Sequence, residues 1–162
     1  MKPAGYSRTQ IVLHWIVFVL VVQQYVFNDY IAEAWAEITE GAEMQFSPVI
    51  AAHVFGGILI GLLIIWRLLL RARRGVPASP EGDSPAQRAI AHGTHHTLYL
   101  LLILMPVSGV AAWFMGIEPA ATVHFYLKLP LLALVLLHVI GALYHQYALK
   151  DDLIGRMKTP RD

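Results

Sequence analysis

Residues 122–148 read TVHFYLKLPLLALVLLHVIGALYHQYA, an apolar run interrupted by Lys128 and by His124, His138 and His145. About 20 such residues suffice for a helix to cross a hydrocarbon core of about 30 Å. At about 100° and 1.5 Å per residue, the step from His124 to His138 returns to within roughly 40° of its starting direction and rises roughly 21 Å. One face of one helix therefore offers two imidazoles at two membrane depths.

Three more apolar runs, at about 10–30, 49–71 and 87–115, precede this one. The composition agrees: 57% of the 162 residues are hydrophobic, only 14% are charged, and mean hydropathy is +0.55. An ordinary soluble domain carries roughly 25% charged residues. The expected fold is all-α, a four-helix transmembrane bundle forming a single domain over residues 1–162 and leaving little chain for anything soluble. The first run lacks a small-residue cleavage site and reads as a retained helix rather than a signal peptide. A net charge of +1 argues against a nucleic-acid partner. The absence of cysteine excludes disulfides, iron–sulfur clusters and thiolate-held haem or zinc, so a metal here rests on the eight histidines, methionine or oxygen.

Charge fixes the expected orientation. The first connection, from Asp29 to Pro48, holds Asp29, Glu33, Glu37, Glu40 and Glu43 and no Lys or Arg. The second holds Arg67, Arg71, Arg73, Arg74 and Arg88, Lys2 and Arg8 precede the first helix, and Lys150, Arg156, Lys158 and Arg161 follow the last. Lys128 alone falls on the other side. By the positive-inside rule both termini and the second connection are cytoplasmic. The stretch GVPASPEGDSP at 75–85 is a loop by its breakers, and it divides the chain into two helical hairpins. Pro106 and Pro130 lie inside apolar runs, where a spanning helix tolerates a kink.

Ionisable residues inside a membrane usually serve function. At matching depths His14 faces His138 towards the cytoplasm, and His53 faces His124 towards the outside. Two imidazoles across a flat macrocycle hold a low-spin haem iron with no position open to substrate, which suits electron transfer. Zinc prefers a tetrahedral set. Gly57, one turn after His53, leaves room for a porphyrin edge, although Gly57 and Gly61 also read as a plain helix-packing face. Single histidines near helix ends are commonly interfacial, and His92 and His96 are read that way. His95 and His145 are placed beside the inner site, as quinone contacts or supports of the ligands. The aromatic residues near helix ends, Trp15, Trp66, Tyr99, Trp113, Tyr126, Tyr144 and Tyr147, read as an interfacial belt.

Four segments carry a resemblance: YSRTQIVLHW at the start, HVFGG from His53, AHGTHHTLYLLL from Ala91, and LHVIGALYHQYALKDDLIGRM from Leu137. Together they resemble the bacterial cytochrome b561 family, four-helix dihaem proteins of the cytoplasmic membrane, some of which oxidise superoxide and reduce ubiquinone. The resemblance implies two b haems, ligated at His14, His53, His124 and His138, and a quinone site on the cytoplasmic side near His95 and His145, where Arg8 or Lys150 could assist. One feature departs from a superoxide oxidase. A positive rim would gather that anion, yet the longest outer loop is acidic, and Lys128, one turn from His124, is the single outer cation. Such a loop suits a basic redox partner such as a small cytochrome c.

The sequence thus leads to a dihaem cytochrome b of the bacterial inner membrane, moving electrons across the bilayer to or from the quinone pool, with superoxide:ubiquinone oxidoreductase activity as one expectation. An electron-carrier subunit serving a dehydrogenase or a soluble redox protein is the alternative. A non-haem bundle whose histidines move protons or metal stands third.

Overall fold

The computed structural model describes residues 3–43 and 47–161, so Lys2, counted above among the cytoplasmic charges, lies outside them. Helix α1 spans Arg8–Val26, α2 Asn28–Thr39, α3 Pro48–Arg74, α4 Pro85–Met115 and α5 Glu118–Tyr144; a π-helical turn, His145–Leu149, prolongs α5. The four longer helices, α1, α3, α4 and α5 with its extension, are long and apolar enough to cross a membrane.

Local chemistry sets the helix ends. Ser7 caps α1 by accepting from the Gln10 amide while the Gln10 side chain accepts from Ser7, and Ser84 and Gln87 repeat this box at the start of α4 ahead of Pro85 at its first turn. Helix α4 stops at Gly116, whose φ of 64° is left-handed and favours glycine.

Two boundaries differ from the sequence reading. The first apolar run, expected to be helical to about residue 30, ends at Val26, and most of the acidic connection is itself a helix, α2. Its periodicity explains this: Ile31, Ala34, Trp35 and Ile38 are half-buried while Asp29, Glu33 and Glu37 are exposed, an amphipathic pattern that lies across the bundle end rather than through the bilayer. Helix α5 begins at Glu118 rather than 122, with Pro119 in its first turn, so the link from α4 shrinks to Gly116 and Ile117.

The packed interior is narrow. Val17 and Val21 of α1 meet Ile60 and Ile64 of α3, while Leu98 and Leu101 of α4 meet Leu131 of α5, and Leu102 and Val135 pack against both groups. Phe55, Leu62, Leu129 and Ile140 point outward, where lipid solvates an apolar side chain as well as a core does. Helix α4 packs most extensively on α5, and α3 lies between α4 and α1. Among the described residues α5 makes at most marginal backbone contact with α1 or α3, the helices that carry the partners of its own histidines.

The two ends differ. At one, Trp15 Nε1 donates to the Met157 carbonyl at 2.8 Å, Arg156 to the Ala78 carbonyl at 2.9 Å, and the Arg161 amide to the Tyr6 carbonyl at 3.1 Å. The start of α1, the loop between α3 and α4 and the C-terminal tail thus share this tail end, where nearly all the basic residues collect. At the other, α2 end, the Trp35 ring of α2 stands 6.3 Å from the Trp113 ring of α4.

Candidate functional site

The bundle gathers five of the eight histidines into two groups and leaves the other three outside them. His14 on α1 and His138 on α5 face each other with ring centroids 6.0 Å apart, and His53 on α3 faces His124 on α5 at 6.3 Å. His95 on α4 approaches His138 at 5.2 Å. His145 turns away to Asp151 and Asp83. His92 and His96 sit exposed, one turn apart on α4, with rings 6.4 Å apart and His96 bonded to the His92 carbonyl.

These separations discriminate between kinds of contact. A metal–nitrogen bond of about 2 Å and a ring radius of about 1.1 Å place the centroids of two imidazoles on opposite sides of one metal roughly 6.2 Å apart. Both cross-helix pairs stand near that value, and the His95 to His138 distance is too short for it. No three histidine or carboxylate donors converge at either pair among the described residues, so neither offers zinc its tetrahedral set.

The pair at the α2 end borders a cavity of about 350 Å³, lined also by Gln24, Gly57, Met105, Gly109 and Trp35. His124 is held from behind. Its Nδ1 lies 2.9 Å from the Met105 carbonyl, to which it donates, and 3.2 Å from Ser108 Oγ. A proton placed on Nδ1 leaves the Nε2 lone pair free for a metal and makes the ring a stronger ligand. The ring reaches that carbonyl because Gly109 has no side chain: a Cβ there would stand 3.0 Å from His124 Cε1. His53 Nδ1 is buried with no hydrogen-bond partner, a costly state that coordination or a hydrogen bond to a ligand would relieve. Gly57 lines the same cavity, with only the Gln24 side chain near its missing Cβ, at 3.7 Å. Gly61 is different: a Cβ there would meet Pro106 Cγ at 3.1 Å, so it serves the packing of α3 on α4. The two readings of the glycine pair divide between its members.

Helix α2 closes this site, with Ile31, Ala32 and Trp35 on the cavity wall and its carboxylates on the exposed face. Lys128 also lines the cavity; its Nζ donates to Asn28 Oδ1 at 3.3 Å and sits 4.2 Å from the centre of the Phe125 ring.

At the tail-end pair, Arg67 lies within electrostatic reach of both His14 and His138, and its Nη1 is buried without a hydrogen-bond partner. A buried, unpaired guanidinium nitrogen asks for an anionic oxygen, such as a porphyrin carboxylate. Towards the surface, Arg71 lies over the Tyr99 ring, and burial pushes the Tyr6 phenol above its ordinary pKa against the opposing pull of Arg71. Tyr6 is a neutral donor at pH 7.

The paired imidazoles on separated helices, the glycine cradle, the fixed tautomer and the unpaired Arg67 Nη1 all fit a haem-type macrocycle. Of these, Gly109, the Met105 carbonyl, Ser108, Arg67 and the cover formed by α2 escaped the sequence reading. Gly109 within PVSGVAA resembles any glycine of an apolar helix, and only the fold shows which ring it faces.

A bundle of four apolar spans with imidazoles paired inside it has the form of a multi-pass membrane cytochrome. A family model described as prokaryotic cytochrome b561 matches residues 5–160, and the chain belongs to that family. It is 36% identical to cytochrome b562 of Cereibacter sphaeroides over 99% of both chains. It is 30% identical to a probable superoxide oxidase of Yersinia pestis over 94% of both, and 25% identical to cytochrome b561 homolog 2 of Escherichia coli over 96% of this chain and 92% of that one. Membership makes this a haem b membrane protein of electron transfer, multi-pass in the bacterial inner membrane.

Proposed function

We propose that the chain forms one domain holding two b haems, one between His53 and His124 and one between His14 and His138, and that it relays single electrons between the outer face and a quinone at the cytoplasmic face. The observation that carries this is the pair of cross-helix imidazole separations, 6.0 and 6.3 Å, between helices that do not pack closely on one another. When bound, haem b supplies a one-electron iron couple. The basic tail end, with the termini and the loop between α3 and α4, faces the cytoplasm under the positive-inside rule.

Each part of the chain then has a task. His124, oriented by the Met105 carbonyl, and His53 would hold the outer group, and α2, which lines the cavity, would shield it from water. His14 and His138, the latter roughly 21 Å from His124 along α5, would hold the inner one, and the unpaired Arg67 Nη1 would meet an anionic carboxylate there. His95, against His138, holds that ring in place. Ubiquinone takes its donors at the tail end from Tyr6 and the basic residues beside it, with His145 as a further candidate.

Superoxide is the favoured outer substrate. The similarity to a probable superoxide oxidase supports it, as does Lys128 on the outer cavity wall, a single cation behind carboxylates that α2 turns away. The acidic face of α2 favours the second reading, an electron-carrier role for a basic redox protein. Purified protein supplied with superoxide and a short-chain ubiquinone decides: quinone reduction coupled to superoxide loss supports the first reading. Haem reduction by a basic cytochrome c with no response to superoxide supports the second.

A further inference from the structure

Away from the histidine pairs, three ligand-type side chains from two separate segments meet at the tail end. Asp83 belongs to the loop between α3 and α4, His145 opens the π-helical turn, and Asp151 follows it. Among the described residues they are the one group of three or more His, Asp or Glu donors whose atoms all lie within 4.8 Å of one another. His145 Nδ1 stands 2.5 Å from Asp151 Oδ2 and 3.8 Å from Asp83 Oδ1.

The group is incomplete as a hydrogen-bonded cluster. Nδ1 carries at most one hydrogen, and the shorter distance commits it to Asp151. Asp83 Oδ1 is left buried with no hydrogen-bond partner, on a side chain only 4% exposed. A carboxylate oxygen in that position costs stability unless a cation meets it. The backbone is also bent to build the group: Lys150 and Asp152, with φ of 56° and 55°, bracket Asp151 in left-handed conformations that non-glycine residues seldom adopt. Asp151 is aimed by its other oxygen, which accepts from the Leu153 amide at 3.2 Å.

We propose that Asp83, His145 and Asp151 form a site for a divalent cation of the zinc type, which ties the C-terminal tail to the loop between α3 and α4. One imidazole nitrogen and two carboxylate oxygens are an ordinary zinc donor set, completed by water, and their two negative charges match the cation. Donors around zinc stand roughly 3.4 Å apart, so the observed 2.5 and 3.8 Å separations reach that geometry by shifts of about 1 Å or less. The cation takes the place of the hydrogen on Nδ1, which leaves to solvent. None of this depends on what the two histidine pairs hold.

The test uses untagged, full-length, detergent-purified holoprotein and zinc chloride as the only probe. His92→Gln/His96→Gln serves as the parent, because those exposed imidazoles are a competing zinc pair. Equilibrium dialysis is expected to give one zinc per chain, weakened at least tenfold by Asp83→Asn and by Asp151→Asn. Zinc should raise the thermal midpoint of the parent and of neither variant, and X-ray absorption should show one imidazole in the shell. Circular dichroism confirms that each variant is folded, and either folded variant suffices. No stoichiometric zinc in the parent, or equal binding in parent and variant, overturns the proposal.

Discussion

Replacing Gly109 by alanine isolates the support behind His124. The new Cβ would stand 3.0 Å from His124 Cε1 and 3.2 Å from its Nδ1, whereas carbon atoms settle at about 3.5–4.0 Å. The ring must yield by about 0.5 Å. A move of that size along its bond to the Met105 carbonyl stretches 2.9 Å to about 3.4 Å and forfeits most of a hydrogen bond worth about 1 kcal/mol. That bond makes the imidazole a stronger ligand and favours oxidised iron. Its loss should raise the midpoint potential at the α2-end site by up to roughly 40 mV, the one-electron equivalent of that energy. Alanine is the better helix former by about 1 kcal/mol, so general unfolding would not be the cause of such a shift. Potentiometric titration followed by difference spectra reads the result, with Gly93→Ala as the silent control because that glycine is exposed and nothing beyond its own stretch of helix lies within 4 Å of the added Cβ. Unchanged potentials in Gly109→Ala, or equal shifts at both sites, would refute the reasoning.

Other substitutions probe the remaining parts. His124→Ala should lower haem content from two per chain to one while sparing the tail-end site, since the pairs share no ligand, and retention of both would show the pairing to be wrong. His95→Ala should keep both haems, because its 5.2 Å approach to His138 is too close for opposite ligation, and loss of one would make it a ligand. Arg67→Met should lower the potential of the tail-end site by an amount on the order of 50 mV through loss of a nearby positive charge, and an unmoved potential would place its guanidinium elsewhere. His145→Ala should keep both haems and slow quinone reduction; disappearance of the tail-end haem would promote His145 to ligand.

Much of this was legible in the sequence because lipid makes the code simple. Spanning helices must be long and apolar, and cations gather at one end. The expected pairing of His14 with His138 and of His53 with His124 followed from the 14-residue helical spacing together with depth, and the fold places those ring centroids 6.0 and 6.3 Å apart. Depth is a coarse coordinate, however. It placed His95 beside the inner site but could not choose between a quinone contact and the contact with His138, since that depends on how α4 rotates about its axis. Helix α2 is hidden in the sequence by five carboxylates without a cation, and only the half-buried set of Ile31, Ala34, Trp35 and Ile38 reveals its helical period. Gly109 and Arg67 owe their roles to neighbours far away in the chain. The meeting of Asp83 with His145 and Asp151 depends on a π-helical turn and two left-handed residues, none of which has a sequence signal of its own.

Haem content is the most direct measure of the two imidazole sites. A pyridine haemochromogen assay on purified protein, with a reduced-minus-oxidised spectrum from the same sample, counts b haems per chain. Two are expected, one for each imidazole pair. One would leave a single pair as a site and break the trans-membrane relay, and none, in cells supplied with ample haem, would contradict the account outright.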